Sequence, residues 1–498
     1  MPQNNIRSPM LVPYPHSQGV IDIGSNSVRM MVYHAPVRVP LPLFNEKYYC
    51  GLGKGLASTG KLNADGKDEA LRALDRFMVM SKRLCVDQMT VLATAAIRDA
   101  KDGKAFVEKI EKHTGLKVQV ISGNTEAELA AKGVMASFYA PDGISADLGG
   151  GSIELAQIKD HSILHRSSLE AGVLRMEDLG AGNIQAIHAL IEKELATVKW
   201  LKQMKAPLIY AVGGSFRSIA KMHMKLHNYP LPILHEYRLT RRHIDEVVAL
   251  FSAMSLEEIA ELPGIPSKRA ATMLPAALML QHLMQYADVP RVAFSVTGIR
   301  EGLLFERLSN KLQKQDPLFA SAADLAMLAG RHGRYGDELF QWMQPLFVHE
   351  SAQQERIRYA LCTLSELAWT IDPNFRGEWA YNRVVQSAIK GVTHRERVML
   401  AMALFHRYQV KWRQDRREMV LLDERDRLWA RCVGIAANLA FHLSGGQQGN
   451  LHHARLGVGG GTVTLSLDKE AKPLRTETLE KRLEGLGSSF NALSNFVI

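Results

Sequence analysis

A short pattern that occurs twice constrains this chain more than any other feature: Val20-Ile21-Asp22-Ile23-Gly24-Ser25-Asn26-Ser27, and later Ser145-Ala146-Asp147-Leu148-Gly149-Gly150-Gly151-Ser152. Each copy is an apolar run ending in Asp-x-Gly, then small hydroxyl or amide residues, then a second β-type run. This order predicts a strand, a tight turn and a returning strand, with a carboxylate at the turn mouth. An ordinary Asx-type hairpin turn explains one copy well and two copies poorly. Two such turns facing one another would make a phosphate clamp. Glycine permits positive φ and close approach, so successive N–H groups of Gly24 and of Gly149, Gly150 and Gly151 can point at phosphate oxygens. Ser25, Asn26, Ser27 and Ser152 add side-chain donors. Asp22 and Asp147 would repel phosphate directly, so a divalent cation bridging to the phosphates explains them better.

The rest of the first half follows the same repeat. After the hairpin, a third apolar run at Leu43 to Cys50 ends in Gly51-Leu-Gly-Lys-Gly. Helical spacing of Leu71, Leu74, Phe77, Met78 and Met80 predicts a helix over 65–84. A strand at 89–93, a helix at 103–114, a strand at 117–121 and a helix at 125–137 complete one βββαβαβα unit. The second copy has strands at 144–147, 153–159 and 162–168, a helix at 183–204, a strand at 207–212 and a helix at 216–225. A helical insert over 240–286 and a last strand at 291–296 follow. A duplicated βββαβαβα α/β chain is what an actin-like (ribonuclease H-like) phosphotransfer fold requires, with the ligand in the cleft between the halves. Beyond about Arg307 the pattern is nearly continuous helix, and a β-containing tail at 456–467 opens with Gly457-Val-Gly-Gly-Gly-Thr. No strand-to-helix junction follows that run, so it reads as a flexible or hairpin element and not as a phosphate loop. The expected division is an arm at 1–17, actin-like domains at 18–138 and 139–307, a helical domain at 308–450 and a small α+β element at 451–498.

Composition narrows the function classes. With 498 residues the chain exceeds what one core serves. Hydrophobic content of 46% and charged content of 22% suit a soluble globular protein, and no apolar stretch is long enough to predict membrane insertion. The scattered Cys50, Cys85, Cys362 and Cys432 lack zinc or redox spacing, which points to a reducing, cytoplasmic setting. A net charge of +10 favours a polyanionic ligand, although a generally basic surface would give the same number.

Five segments in order carry a family resemblance: Asp22-Ile-Gly-Ser-Asn-Ser, Ala93-Thr-Ala-Ala-Ile-Arg98, Ile121-Ser-Gly-Asn-Thr-Glu126-Ala, Asp147-Leu-Gly-Gly-Gly-Ser-Ile-Glu154 and Val212-Gly-Gly-Ser215. Over residues 18–306 the chain resembles the exopolyphosphatase and guanosine pentaphosphate phosphohydrolase (Ppx/GppA) family, and its length and helical C-terminal part look like the long exopolyphosphatase form. The resemblance implies release of terminal orthophosphate from inorganic polyphosphate, or of the 5′ γ-phosphate from guanosine pentaphosphate, with Mg2+ or another divalent cation and K+ as a further candidate. It implies that Glu126 is the catalytic base, that Arg98 contacts phosphate, and that Asp147 and Glu154 lie near the metal, with Asp22 a third candidate. It also implies a homodimer, with guanosine tetraphosphate a further possible ligand and no nucleic acid partner.

The residues themselves fit this chemistry. Glu126 falls in the first turn of a helix capped within Ser122 to Asn124, where a carboxylate can orient or deprotonate water; a glutamate merely favoured by the helix dipole is the alternative. Glu128 projects about 200° around that helix from Glu126, so both cannot face the substrate. Arg98 can grip phosphate oxygens in a bidentate fork, or be a surface cation. Glu154 follows Asp147 by seven residues across the hairpin, so both carboxylates can approach one cation. Gly213, Gly214 and Ser215 open a helix and offer its N-terminal amides to an anion. A polymer also needs a track; Arg217, Lys221 and Lys225 on one helical face, and Lys411, Arg413, Arg416 and Arg417, are two candidates beside the reading of solvated faces.

In the family the C-terminal domain resembles HD-type phosphohydrolases, whose metal site needs a His-Asp pair. This chain has none there, and His394 and His406 stand alone. The helical domain is therefore not expected to form a second metal centre; the resemblance implies that it binds substrate and dimerises. Competing readings are an actin-like ATPase or sugar kinase on the same fold, against which Ile121-Ser-Gly-Asn-Thr-Glu126 argues, and a non-catalytic alarmone-binding regulator.

Overall fold

The computed structural model describes residues 16–180, 183–329, 335–409, 412 and 416–498. Most of the arm expected over 1–17 therefore lies outside the described residues. The chain divides into two compact units, 1–314 and 315–498.

The first unit holds two sheets. One comprises β1 (Ser17–Ile23), β2 (Ser27–His34), β3 (Leu41–Tyr49), β4 (Gln88–Ala93) and β5 (Val118–Val120), in the order β3-β2-β1-β4-β5. The other comprises β6 (Gly143–Leu148), β7 (Ile153–Lys159), β8 (Ser162–Leu169), β9 (Ile209–Val212), β10 (Arg238–Thr240) and β11 (Arg291–Phe294), in the order β10-β11-β9-β6-β7-β8. In both, three antiparallel strands meet parallel strands: β1 pairs antiparallel with β2 and parallel with β4, as β6 does with β7 and β9. The repeat read from the sequence is thus a repeat of topology, and the fold is actin-like. The strand β10, where the sequence pattern predicts no strand, adds one antiparallel edge to the second sheet. Central strands carry buried apolar residues toward both layers, such as Val20, Ile21, Ile144 and Ala146, because helices cover both faces.

Two helices exchange places between the lobes. Helix Gly123–Ser137, at the end of the first repeat, buries Ala127, Ala131 and Val134 against Ala156, Ile158 and Tyr210 of the second sheet. Helix Ile299–Glu306, at the end of the second repeat, returns Leu303 and Leu304 to Val20, Met31 and Leu92 of the first. They pass close enough that a Cβ on Gly302 would lie 1.8 Å from the Leu129 carbonyl oxygen, and one on Gly133 would lie 2.2 Å from that of Gly298. A boundary at 138/139 with a second domain running to 307 thus puts on the second lobe a helix that is packed in the first. The helix expected over 183–204 breaks after Ile184–Ala196, where the Thr197 hydroxyl donates to the Glu194 carbonyl at 2.6 Å, and resumes as a single turn at Trp200–Gln203.

The second unit is helical, with Pro317–Leu328, Tyr335–Met343, Ala352–Leu364, Arg376–Gln386, His394–Tyr408 and Glu424–Ser444 as its main helices. Buried ion pairs hold it: Arg358 with Glu350, and Arg407 with Glu366 at 2.6 Å. The glycine run is the tip of a hairpin between β12 (Ala454–Gly459) and β13 (Thr462–Leu467), with Gly460 and Gly461 at positive φ. Helix Glu477–Ser489 then leads to β14 (Leu493–Val497), parallel to β13. Its short alternating pattern, largely exposed, gave no strand signal against the flanking helix.

Candidate active site

The two Asp-x-Gly turns close in the same way. Gly24 N–H donates to the Ser27 carbonyl at 3.0 Å, and Gly149 N–H to the Ser152 carbonyl at 3.0 Å. Most of their other carbonyls are tied back into their own lobes: Ser25 accepts from Gly53, Asn26 from Cys50 and Gly51, Gly150 from Leu174, and Gly151 from Gly172. With those acceptors committed, N–H and hydroxyl donors are what the turns have left for a ligand. The turns face each other so closely that a Cβ on Gly150 would lie 2.8 Å from the Ser25 Cβ. Between them opens a cleft of about 520 Å³, and residues of both turns line it.

A third loop joins them. Gly213, at φ 108°, caps helix Gly214–Leu226, and a Cβ there would strike the Leu148 carbonyl. Gly213, Gly214 and Ser215 line the cleft. The carbonyls of that loop are engaged by guanidiniums: Arg217 Nε donates to Gly213 at 2.9 Å, and Arg269 donates to Gly214. The amide end of the helix is thereby left to the cleft, where it suits an anion. Arg29, Lys47, Arg217, Lys221, Arg269 and Arg300 all line the cavity. Burial, and then Arg300, pull the Arg217 guanidinium down to about 10.

The acidic side is more compact. Asp147 and Glu154 are direct cross-strand partners on β6 and β7. Burial pushes Asp147 up to about 6 and Glu154 up to about 8. Glu126 is buried, lines the cleft and is raised well above the carboxylate range by burial first, then by Glu154 and Asp147. Ser122 caps its helix by accepting from Thr125 N–H, which fixes where Glu126 emerges. Arg98 opposes the shift: its Nη1 donates to the Glu126 carboxylate at 3.2 Å and to the Ile121 carbonyl at 3.1 Å.

Several candidates take places other than those expected. Arg98 is absent from the cleft wall and engages Glu126 and Asp99, so it holds a carboxylate where a phosphate contact was expected. Asp22 lines the cleft but accepts from Arg300 at 2.7 Å, a guanidinium that neutralises it without a metal ion. Glu154 is 1% exposed, accepts from the Ser168 hydroxyl at 3.0 Å and lies behind the lining. Among the described residues no group of three or more His, Cys, Asp or Glu side chains is placed to hold a metal ion. Asp147 at the cleft floor, with its proton affinity raised by burial, fits a hard cation held by one carboxylate and substrate oxygens, the usual arrangement for Mg2+ at phosphates. Of the two candidate tracks, Arg217 and Lys221 reach the cleft and Lys225 does not. Arg416 donates to Asn382 at 2.9 Å and covers the Tyr381 ring; Lys411 and Arg413 lie outside the described residues, and Arg417 is exposed.

The sequence reading missed Arg29, Lys47, Arg269 and Arg300. For Arg29 a signal existed: it follows Asp22 by the seven-residue offset that separates Glu154 from Asp147, and the registers pair Asp22 with Arg29 as they pair Asp147 with Glu154. Arg269 comes from the helical insert and Arg300 from the exchanged helix, and nothing local marks either.

Residues 31–311 match the Ppx/GppA phosphatase family, and residues 318–497 match the exopolyphosphatase C-terminal family. The chain is 27% identical over 305 residues to exopolyphosphatase 1 of Mycobacterium tuberculosis, an alignment covering 59% of this chain and 88% of the relative. It is 25% identical over 482 residues to retrograde regulation protein 2 of Saccharomyces cerevisiae, covering 84% and 79%. Among solved structures, an exopolyphosphatase from Cytophaga hutchinsonii aligns with a TM-score of 0.54 at 24% identity, over 58% of this chain and 97% of its own. A Ppx/GppA family member from Aquifex aeolicus aligns with a TM-score of 0.51 at 24% identity, over 59% and 99%. These structural likenesses concern the fold.

Proposed function

This chain belongs to the Ppx/GppA phosphatase family, and from that membership we propose that it is an exopolyphosphatase that releases terminal orthophosphate from inorganic polyphosphate through a water activated by Glu126. At the coarser level it is a hydrolase of phosphoanhydride bonds. The observation that carries the finer reading is the placement of Glu126: a buried carboxylate with raised proton affinity, held by Arg98, on the wall of a cleft framed by two glycine turns.

Phosphoryl transfer asks for positioning and charge neutralisation. Backbone donors of the two turns and of the Gly213 loop would seat the terminal phosphate. Glu126 would take the proton of the attacking water as its oxygen bonds to phosphorus and the bridging P–O bond breaks. The negative charge on the departing chain would fall to Arg29, Arg217 and Arg269. Arg98, anchored on the Ile121 carbonyl, would keep the Glu126 carboxylate aimed at the water. A divalent cation would be held by Asp147 with substrate oxygens, and when bound would neutralise charge on the transferred group.

A guanosine polyphosphate is the second reading. Tyr49, 37% exposed, lines the cleft with Lys47 and Lys268 over its ring at 4.4 and 3.2 Å, so a base could stack there only by displacing a lysine. Orthophosphate release is to be measured from polyphosphates of graded length and from guanosine pentaphosphate, side by side, with and without Mg2+. Faster release from the polymer is the expected result. Release from the nucleotide alone would replace the first reading with the second, and phosphate transfer from ATP to a sugar would replace both with a kinase.

A further inference from the structure

The two lobes place different chemistry at equivalent positions. In the second lobe the registers align Asp147, Glu154 and Ser168 across β6, β7 and β8. In the first, the same three positions on β1, β2 and β3 are Asp22, Arg29 and Lys47. Arg29 and Lys47 are thus directly opposed like charges, an arrangement that weakens a sheet unless something answers it. What surrounds Lys47 makes the excess larger. Arg29 faces it from β2, Arg217 from helix Gly214–Leu226, Arg269 from the insert and Arg300 from the exchanged helix. Its ammonium lies 4.4 Å from the centre of the Tyr49 ring, whose face is also met by Lys268 at 3.2 Å. Of the carboxylates on the cleft elements, Asp22 is taken by Arg300, Glu46 on the same strand by Arg76 and Glu126 by Arg98, while Asp147 faces Arg217 and Arg300 from β6. Asn45 supplies only an amide oxygen, and it accepts from Arg29 at 2.7 Å.

We propose that Lys47 is a further anion-binding residue of the cleft, and that it takes up a proton when a phosphate chain is seated against it. The proposal rests on the reading of the cleft as a phosphate site and deepens it, by assigning Lys47, Arg29 and Arg269 to the phosphates that follow the one being released. Without an anion, burial and the four guanidiniums pull the Lys47 ammonium down to about 7, so part of the population is neutral. A polyanion restores the charge. The protein then binds its ligand and a proton together, and affinity falls as pH rises above about 7.

The test is calorimetric titration of inorganic tripolyphosphate into the full chain carrying Glu126→Gln, in EDTA, in buffers of different ionisation enthalpy. Comparing Lys47 with Lys47→Arg isolates this group from the carboxylates. At pH 8 the Lys47 protein should take up close to one proton more than Lys47→Arg, whose guanidinium stays charged. Between pH 7 and 8.5 its affinity should fall by up to tenfold per pH unit, and the Lys47→Arg affinity by clearly less. Lys47→Met should lose affinity at pH 6, and the loss should shrink as pH rises. Equal proton uptake by Lys47 and Lys47→Arg, a pH-independent Lys47→Met loss, or no binding of tripolyphosphate would each overturn the proposal. Orthophosphate appearing from the Glu126→Gln protein would count against the role of Glu126 and is read separately from the proton count.

Discussion

Glu126, Asp147 and Glu154 share a poorly solvated corner, where burial raises all three, Glu154 and Asp147 add to the rise at Glu126, and Asp147 adds to that at Glu154. On the proposed mechanism, replacing Glu126 by Gln should lower kcat by roughly 10²- to 10⁴-fold, with KM for polyphosphate changed little, since the proposed base is lost while the backbone donors of the turns remain; steady-state kinetics on one polymer length checks it. The carboxylates also set a stability profile. Asp147 at about 6 and Glu154 at about 8 bind protons more tightly folded than unfolded. Their contribution is therefore full below their ordinary values near 4 and is lost as pH rises through 6 and 8. Lys47, pulled down to about 7, contributes with the opposite sign above that pH, so the carboxylate effect is read as a difference: in EDTA the melting temperature of the protein minus that of Glu154→Gln should fall from pH 5.5 to 8, and Mg2+ should raise the midpoint of the protein more at pH 8 than at pH 5.5. A difference that does not change with pH would contradict the proton affinity of Glu154. At this scale the sequence marked Glu126 and both aspartates, since short motifs hold them. It gave no hint that Asp22 would be answered by Arg300, a partner 278 positions away.

The elements that matter most are the two exchanged helices and the turns they flank. Glu126 rides on a helix that leaves the first repeat and packs on the second sheet, so its position against Asp147 depends on both lobes. The crossing is tight at Gly133 and Gly302, where added atoms meet backbone that cannot swing aside. Gly302→Val should cost roughly 3 kcal/mol by overpacking, read as a lower denaturation midpoint, and activity should fall in step because the same contact positions Glu126. A variant of unchanged stability would show that the helices can part without cost. Most elements were legible from period and turn residues, with the central strands within a residue or two. The exchange was not, because the apolar stripe of an isolated helix does not say which sheet it will cover.

For the whole molecule, the first unit contains Glu126, Arg98 and every residue that lines the cleft, and solved structures of the same fold align over nearly their full length with little more than half of this chain. A chain ending at Lys314 should therefore fold and release orthophosphate from short polyphosphates, while its affinity for long chains drops more than its short-chain turnover. Equal loss for both lengths would remove the second unit from substrate binding. What the sequence determined by itself is the duplication, and with it the fold, because strand and turn chemistry are local and were written twice. It also determined that each lobe carries an Asp-x-Gly turn, and both turns line the cleft. Only the tertiary structure decided that the two copies are chemically unlike. Register sets Arg29 and Lys47 in one lobe against Glu154 and Ser168 in the other, and long-range partners then decide which carboxylates stay available. Burial and charge act through space, so their outcome at Asp22, Lys47 and Glu126 follows from the neighbours that the fold assembles.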